Sequence, residues 1–528
     1  MNELSRRRLL TAFGATGAAA VLGSCSRPRS EPSGPTSTPA THPSTIGTAP
    51  STPGVVAWSR LAGALTGPLL RPGSPGYAAA APLYNPRFDT SSHPAAIAQC
   101  AGVADVATCV RFAAQSQLPF AVRSGGHSYG GWSTSPGLVI DVRNLASVHT
   151  DGASGTARIG AGAHLVQVYA ALGGAGVGIA AGSCPSVGIA GLTLGGGVGV
   201  LSRAWGLTCD AVRSIGIVTA DGVVREVSTA ANPDLFWALR GGAGGSFGAV
   251  TGFTVVTRAA PTIHTFYLSW SISDAPAVVD AWQHWMTGAD PRLWSTCKLL
   301  ADPRPGTIRA LIAGTWIGPA TELTGVLATV VSRVGSAPNI RSANTLSYTA
   351  AMLTEAGCSG SSAVQCLAQA LRPPSRQPFA ATSSVATGLL PIAALERAAA
   401  QTRAALSVPG LVEGGVSFDA LGGAVRTVPP SATAFVHRNA TATVQYTATW
   451  PAGSPAAGAS AAPYDAYVRE FRAEMTPWLG NGAYVNYPDP HIADYGSAYW
   501  GSNYPRLQSV KRAYDPGQLF TFPQAVRP

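Results

Sequence analysis

The sequence predicts an α+β fold. Apolar residues make up 46% of the 528 positions, charged residues only 11%, and runs of strand-like alternation are interleaved with helical spacing. That apolar content supports a large buried core and excludes a disordered chain. With 61 glycines and 41 prolines, the chain is too rich in turn formers and too poor in charge for a helical bundle. Its length suggests about two or three domains.

At the N-terminus, Ser5-Arg6-Arg7-Arg8-Leu9-Leu10-Thr11 leads into an apolar, Ala/Gly-rich stretch ending at Ser24. Paired arginines before a short apolar run are the pattern of a twin-arginine export signal, expected over residues 1–24. The run is shorter than the ~20 residues that span a bilayer. Leu22-Gly23-Ser24-Cys25 resembles a lipobox, so Cys25 is either a lipid anchor or part of an ordinary leader, and the destination is the cell surface or the medium. Residues 25–54 are rich in Ser, Thr and Pro without apolar periodicity, which predicts a disordered tether.

Further on, Val106, Val110, Ala113 and Ala114 give residues 104–117 helical spacing. Strands are expected at 120–122, 137–141, 157–160, 214–219, 223–227 and 250–257, with a helix at 165–172. Beyond residue 260, strands at 265–271, 308–317 and 441–450 alternate with helices near 275–286 and 321–334. Between Ile159 and Ser202 there is no Asp, Glu, Lys or Arg, yet there are 13 glycines. At about 1 kcal/mol each against Ala, these make a very poor helix. The stretch reads instead as tight turns around a flat apolar object.

The formal net charge is +10, but the charges are scattered, with no basic helix or aromatic–basic stripe. Nucleic-acid binding is therefore not expected. No CxxC, HExxH or His/Cys cluster occurs among the eight cysteines and nine histidines, so no metal site is expected. Cys358 with Cys366 and Cys100 with Cys109 are candidate disulfides, although spacing alone does not fix the pairing.

Two segments carry chemistry. Ala121-Val122-Arg123-Ser124-Gly125-Gly126-His127-Ser128 runs from a strand into paired glycines, whose backbone N–H groups can converge on a pyrophosphate. Gly182-Ser183-Cys184-Pro185-Ser186-Val187-Gly188 is followed by Gly191 and by Gly195-Gly196-Gly197-Val198-Gly199. Each alone also reads as an ordinary glycine turn around a structural His or Cys. Three further stretches accompany them: Asn232-Pro233-Asp234-Leu235-Phe236-Trp237, Tyr484-Val485-Asn486-Tyr487 and Trp500-Gly501-Ser502-Asn503-Tyr504. The set resembles the berberine bridge enzyme-like oxidases, of the vanillyl-alcohol oxidase/p-cresol methylhydroxylase class of FAD enzymes. The resemblance runs from about residue 70 to the end and is thin only across 320–430.

The resemblance implies a two-part FAD-binding domain of the p-cresol methylhydroxylase type, built from residues 75–262 and a berberine-bridge-type module at 481–528. It would enclose an α/β substrate domain at 263–480, whose antiparallel sheet is covered by helices and keeps one face open over the flavin. FAD is expected to be bicovalent, through His127 at the 8α-methyl and Cys184 at C6. The implied cofactor contacts are Arg123, Ser124, Gly125, Gly126, Ser128 and Val187, with Gly188, Gly191, Gly199, Val250, Asn503 and Tyr504.

Tyr487 is the implied base that takes the proton of a substrate hydroxyl, the alternative being that it packs on the flavin ring without proton transfer. Free tyrosine titrates near 10, so that role calls for a cation or hydrogen bonds to the phenolate, and Arg438 is one candidate. Gln445 matches a substrate-facing polar position. Val198 departs from relatives that carry a second tyrosine there, and Val187 matches those whose small side chain leaves room for dioxygen. The expected reaction oxidises an alcohol, a sugar or secondary-metabolite hydroxyl, to a carbonyl while dioxygen becomes hydrogen peroxide. The alternative is a dehydrogenase that passes electrons to a quinone or other carrier.

Overall fold

The structure is a computed structural model that describes residues 56–91, 93–372, 375–452 and 461–528. The expected export signal, Cys25 and tether lie outside the described residues.

Strands β1 (Leu69–Leu70), β2 (Ala96–Gln99), β3 (Phe120–Arg123) and β4 (Leu138–Asp141) form a sheet of order β1-β2-β4-β3. β4 runs parallel to β2 and β3, and all four of its residues are buried, as suits a parallel strand covered on both faces. The helix Val103–Gln115 links β2 to β3 and buries Val106, Cys109, Val110 and Ala113 along one stripe. Asp105 in its first turn accepts the N–H groups of Thr66, Gly67 and Ala101 at 2.8–2.9 Å. β5 (Val148–Asp151), β6 (Thr156–Gly160), β8 (Val212–Val218), β9 (Val224–Ser228) and β10 (Ala249–Val256) make an antiparallel sheet of order β5-β6-β10-β8-β9. β7 (Val177–Gly178) and β11 (Arg258–Ala259) pair separately. The glycine-rich stretch holds two helices, Leu165–Gly174 and Ile189–Leu194, joined by turns.

These elements share one core, which the C-terminal residues rejoin through Ala483, Trp500, Leu507 and Val526. Lys511 fastens that return. Its buried ammonium donates to the Ser246 and Phe520 carbonyls at 2.6 Å and to Asp515 at 2.7 Å. A buried charge is tolerable when every donor is matched in this way.

The second unit is a seven-stranded, wholly antiparallel sheet. Its strands are β12 (Ile263–Ser271), β13 (Leu293–Asp302), β14 (Thr307–Trp316), β15 (Ile340–Leu346), β16 (Phe379–Ala386), β17 (Glu413–Ala420) and β18 (Ala442–Thr449), in the order β15-β12-β14-β13-β17-β18-β16. Strand alternation decides its two faces. Cys297, Leu299, Val416, Phe418, Val444 and Tyr446 pack under the helices Ala275–Thr287, Ala320–Val334, Ile392–Ala404 and Ala462–Leu479. Lys298, Ser417 and Gln445 form one cross-strand row on the opposite face.

Two details differ from the sequence reading. Helix Tyr348–Glu355 and the Cys358–Cys366 disulfide, which fall within the expected substrate domain, pack against the first core, where the Tyr348 hydroxyl bonds to both backbone groups of Ile179. Cys100 and Cys109 are not bridged; both are free thiols buried as small apolar groups in the first core.

Candidate active site

A cavity of about 780 Å³ lies between the glycine-rich loops of the first core and the polar face of the seven-stranded sheet. Its volume suits an organic ligand of cofactor size.

The loop at 124–128 follows directly from β3. Arg123 anchors its start from outside the cavity: its guanidinium donates to the Ser133 carbonyl at 2.9 Å and the Ala80 carbonyl at 2.6 Å. Ser124 donates to the Ala161 carbonyl at 2.6 Å, and Gly126 takes a left-handed φ of 72° that a side chain would strain. The loop at 184–188 caps the helix Leu165–Gly174. The N–H groups of Leu165 and Val166 donate to the carbonyls of Val187 and Pro185 at 2.9 and 3.2 Å, so helix-end donors find partners in the loop. The two loops meet backbone to backbone: a Cβ on Gly125 would lie 2.3 Å from the Gly188 nitrogen. His127 and Cys184 thereby reach one cavity, with the His127 Nε2 lying 3.0 Å from Ser186 Oγ. Burial, with the charge of His164, holds the His127 imidazole down to about 3, so it is neutral. Cys184 is exposed to the cavity, but the protein packed around the cavity desolvates its thiol and pushes it up, Lys298 opposes this, and Asp419 adds to it.

The facing wall is built by β13, β16, β17, β18 and the C-terminal segment. Gln445 Nε2 donates to Tyr129 Oη at 2.6 Å, and the Tyr129 ring stacks on Tyr487 with centroids 5.3 Å apart and planes 8° from parallel. Ser383 secures the backbone around Tyr487: it accepts the Tyr484 N–H at 3.1 Å and donates to the Tyr487 carbonyl at 3.3 Å. Tyr484 Oη accepts the N–H groups of Gly197 and Val198 at 3.2 and 3.1 Å, which ties the C-terminal segment to the glycine turn. Ser417 donates to Asp419 at 3.1 Å, and both line the cavity with Lys298 and Glu413.

Comparisons with known proteins agree with this geometry. Residues 94–228 match the model of an FAD binding domain, and residues 483–527 match the berberine and berberine-like module. An uncharacterized FAD-linked oxidoreductase of Bacillus subtilis, YgaK, is 32% identical over 469 residues, covering 88% of this chain and 97% of that protein. The chain belongs to the berberine bridge enzyme-like family of FAD-linked oxidoreductases. Chitooligosaccharide oxidase of Gibberella zeae is 30% identical over 458 residues, covering 82% of this chain and 87% of that protein. Among solved structures, berberine bridge enzyme-like 1 of Physcomitrella patens superposes with a TM-score of 0.80 at 28% identity, over 89% of this chain and 98% of its own. A chitooligosaccharide oxidase structure gives 0.79 at 27% identity, over 90% of this chain and 100% of its own.

The cavity of this berberine bridge enzyme-like chain fits FAD. Among the described residues, the N–H groups of Gly125, Gly126, His127 and Ser128 find no backbone acceptor, and a row of unclaimed donors suits a pyrophosphate. Gly191 lines the cavity with nothing within 4 Å of where its Cβ would stand, so a side chain there would enter the cofactor's space. Gly188 and Gly199 line it too, but their missing Cβ atoms serve backbone packing, against Gly125 and the Ala181 carbonyl respectively. Ser124, Val187 and Val250 complete the sequence-derived residues that reach the wall.

Three expected contacts lie elsewhere. Arg123 lies outside the cavity, where its Nε and one terminal nitrogen hold the carbonyls that fix its loop and the other terminal nitrogen is buried without a partner. Asn503 donates to the Pro430 and Thr433 carbonyls at 2.8 and 3.1 Å, and Tyr504 stacks on Trp500; both hold the C-terminal module together. Arg438 does not assist Tyr487 either. Its buried guanidinium is bound to Asp210 through two 2.7 Å bonds and to Thr433. Burial foremost, then Asp419, raises the Tyr487 phenol well above its ordinary value. Sequence reading missed Tyr84, Tyr129, Lys298, Glu413 and Asp419. Tyr129 stands two residues beyond His127, and the alternation of Glu413, Ser417 and Asp419 with buried Val416 and Phe418 was the available signal for the wall.

Proposed function

We propose that this enzyme is an exported alcohol oxidase that carries FAD on two covalent links, His127 to the 8α-methyl and Cys184 to C6, and oxidises a carbohydrate hydroxyl to a carbonyl. The observation that carries this reading is the convergence of His127 and Cys184 on one cavity, opposite a wall of hydroxyl, amide and carboxylate groups. That wall suits a polyhydroxylated substrate better than an apolar one, and similarity to a chitooligosaccharide oxidase supports the same class. Double attachment would prevent loss of the cofactor outside the cell.

Bound FAD would supply a hydride acceptor and an electron source for dioxygen, with hydrogen peroxide as the product. The chain's share is binding, orientation and proton handling. Tyr487 takes the hydroxyl proton. Because burial and Asp419 keep its phenol protonated at rest, it accepts that proton only by releasing its own. Gln445 orients Tyr129, whose ring backs Tyr487. Val187 keeps the wall beside Cys184 small, which leaves room for dioxygen that a bulkier side chain there would block.

Acid precipitation tests the links: a colourless pellet defeats covalent attachment. His127→Ala should leave a singly linked flavin, and replacement of Cys184 as well should release it. Tyr487→Phe should slow flavin reduction by about 10²–10⁴-fold with the pellet still yellow; an unchanged rate removes Tyr487 as base. Stopped-flow reoxidation by air within the turnover time supports oxidase, and persistence of reduced flavin supports the dehydrogenase. A Cys25→Ser chain released from the cell surface into the medium would identify the lipid anchor.

A further inference from the structure

Two side chains around His127 have no part in the proposed chemistry. Ser186 Oγ lies 3.0 Å from the imidazole Nε2. The Tyr84 ring lies flat against the imidazole, centroids 3.6 Å apart and planes 16° from parallel. Ser186 is itself 1% exposed, and its backbone is fixed by His164, whose Nδ1 lies 2.7 Å from the Ser186 carbonyl. The imidazole is therefore held on one face and at one nitrogen. His127 Nδ1 has no partner among the described residues. Ser186 offers the ring acceptors through Oγ at 3.0 Å and through its backbone, so the hydrogen of the neutral ring belongs on Nε2, facing Ser186.

We propose that Ser186 and Tyr84 are positioning residues for covalent attachment of the flavin: together they hold His127 as the Nε2–H tautomer, which leaves the Nδ1 lone pair to make the bond. The inference rests on the reading that His127 is linked to the cofactor. In the step, Nδ1 bonds to the C8α carbon and one C8α–H bond breaks. That hydrogen and the Nε2 hydrogen leave as protons, and the electron pair of the broken bond enters the ring system. Dioxygen, the acceptor in the proposed reaction, then takes the two electrons and two protons as hydrogen peroxide. A hydroxyl suits this position because it can accept from Nε2–H before the bond forms and donate to the bare Nε2 afterwards. Tyr84 contributes its ring face and not its hydroxyl.

The test uses the full chain in a Cys184→Ala background, where His127 is the sole link, and follows acid-insoluble flavin after FAD is added to apoprotein. C184A alone should give a yellow pellet. Adding Ser186→Ala should slow attachment at least about tenfold, the factor that corresponds to roughly 1.4 kcal/mol, while Ser186→Thr restores the parent rate. Tyr84→Leu should slow it similarly and Tyr84→Phe should not. Total flavin, bound plus acid-released, should match the parent in every variant, which separates lost attachment from a lost cavity. Attachment by S186A or Y84L at the parent rate overturns the proposal, as does a flavopeptide linked through Nε2. A colourless pellet from C184A itself instead overturns the underlying link to His127, and the inference with it.

Discussion

Gly125→Ala examines the contact on which the cavity depends. A Cβ there would stand 2.3 Å from the Gly188 nitrogen, 2.7 Å from the Ser186 carbonyl oxygen and 3.0 Å from the Gly188 Cα, all backbone atoms that cannot rotate away. Ordinary contact begins at 3.4 Å, so the two loops must part by about 1 Å. Overpacking of this kind costs about 1–3 kcal/mol. The same parting carries Ser186 Oγ from 3.0 Å to beyond hydrogen-bond reach of His127, and a misplacement of about 1 Å can cost on the order of 10²-fold in a positioned reaction. Urea unfolding should therefore show a lower midpoint, and mass spectrometry of the flavopeptides should show one of the two links lost from much of the protein. Gly191→Ala is the counterpart: with nothing within 4 Å of its Cβ, it should keep the unfolding midpoint of apoprotein while weakening FAD binding. A Gly125→Ala protein with wild-type stability and both links would refute the argument that loop contact sets the site.

Further outcomes follow from other parts of the fold. Asp515→Ala leaves Lys511 buried beside two carbonyls without a counter-charge and should destabilise by about 3–5 kcal/mol, measured by urea unfolding at constant pH. Replacing Cys358 and Cys366 by Ser opens a loop with a sequence separation of 8 and should cost about 2.5 kcal/mol on the chain-entropy account; no change in unfolding midpoint would contradict it. Burial raises the Glu355 carboxyl to about 7, whereas an unfolded-chain Glu titrates near 4.3. The folded form therefore holds this proton more tightly, and wild-type stability falls as pH rises through that window, by about 4 kcal/mol at most. Glu355→Gln escapes the loss, so its advantage should be small at pH 4, grow up to pH 7 and then stay flat; a pH-independent difference would contradict the raised value.

Local chemistry in the chain was enough to place several elements. The helical stripe of Val106, Val110 and Ala113, the alternation in β14 and β18 and the glycine punctuation around His127 and Cys184 involve only neighbours in sequence, so period and turn residues reveal them. β13 and β17 were not read from the sequence. In β17 the alternation of Ser417 and Asp419 with Val416 and Phe418 is present but short, interrupted by Gly414-Gly415, and in β13 the cavity-facing Lys298 and Leu300 mix charge with apolar surface, so neither strand stands out until a partner strand and a cavity give each face its solvent. Which residues meet is a separate matter. Tyr129 and Gln445 are 316 positions apart, and only sheet register and the returning C-terminal segment bring them together with Tyr487. Arg438, Asn503 and Tyr504 show the same limit from the other side: each has the chemistry for a site, but tertiary packing assigned each to a structural partner first. Sequence determined the residue types and the local turns that such a cofactor needs, whereas long-range pairing, which no local pattern encodes, decided which of them face the cavity.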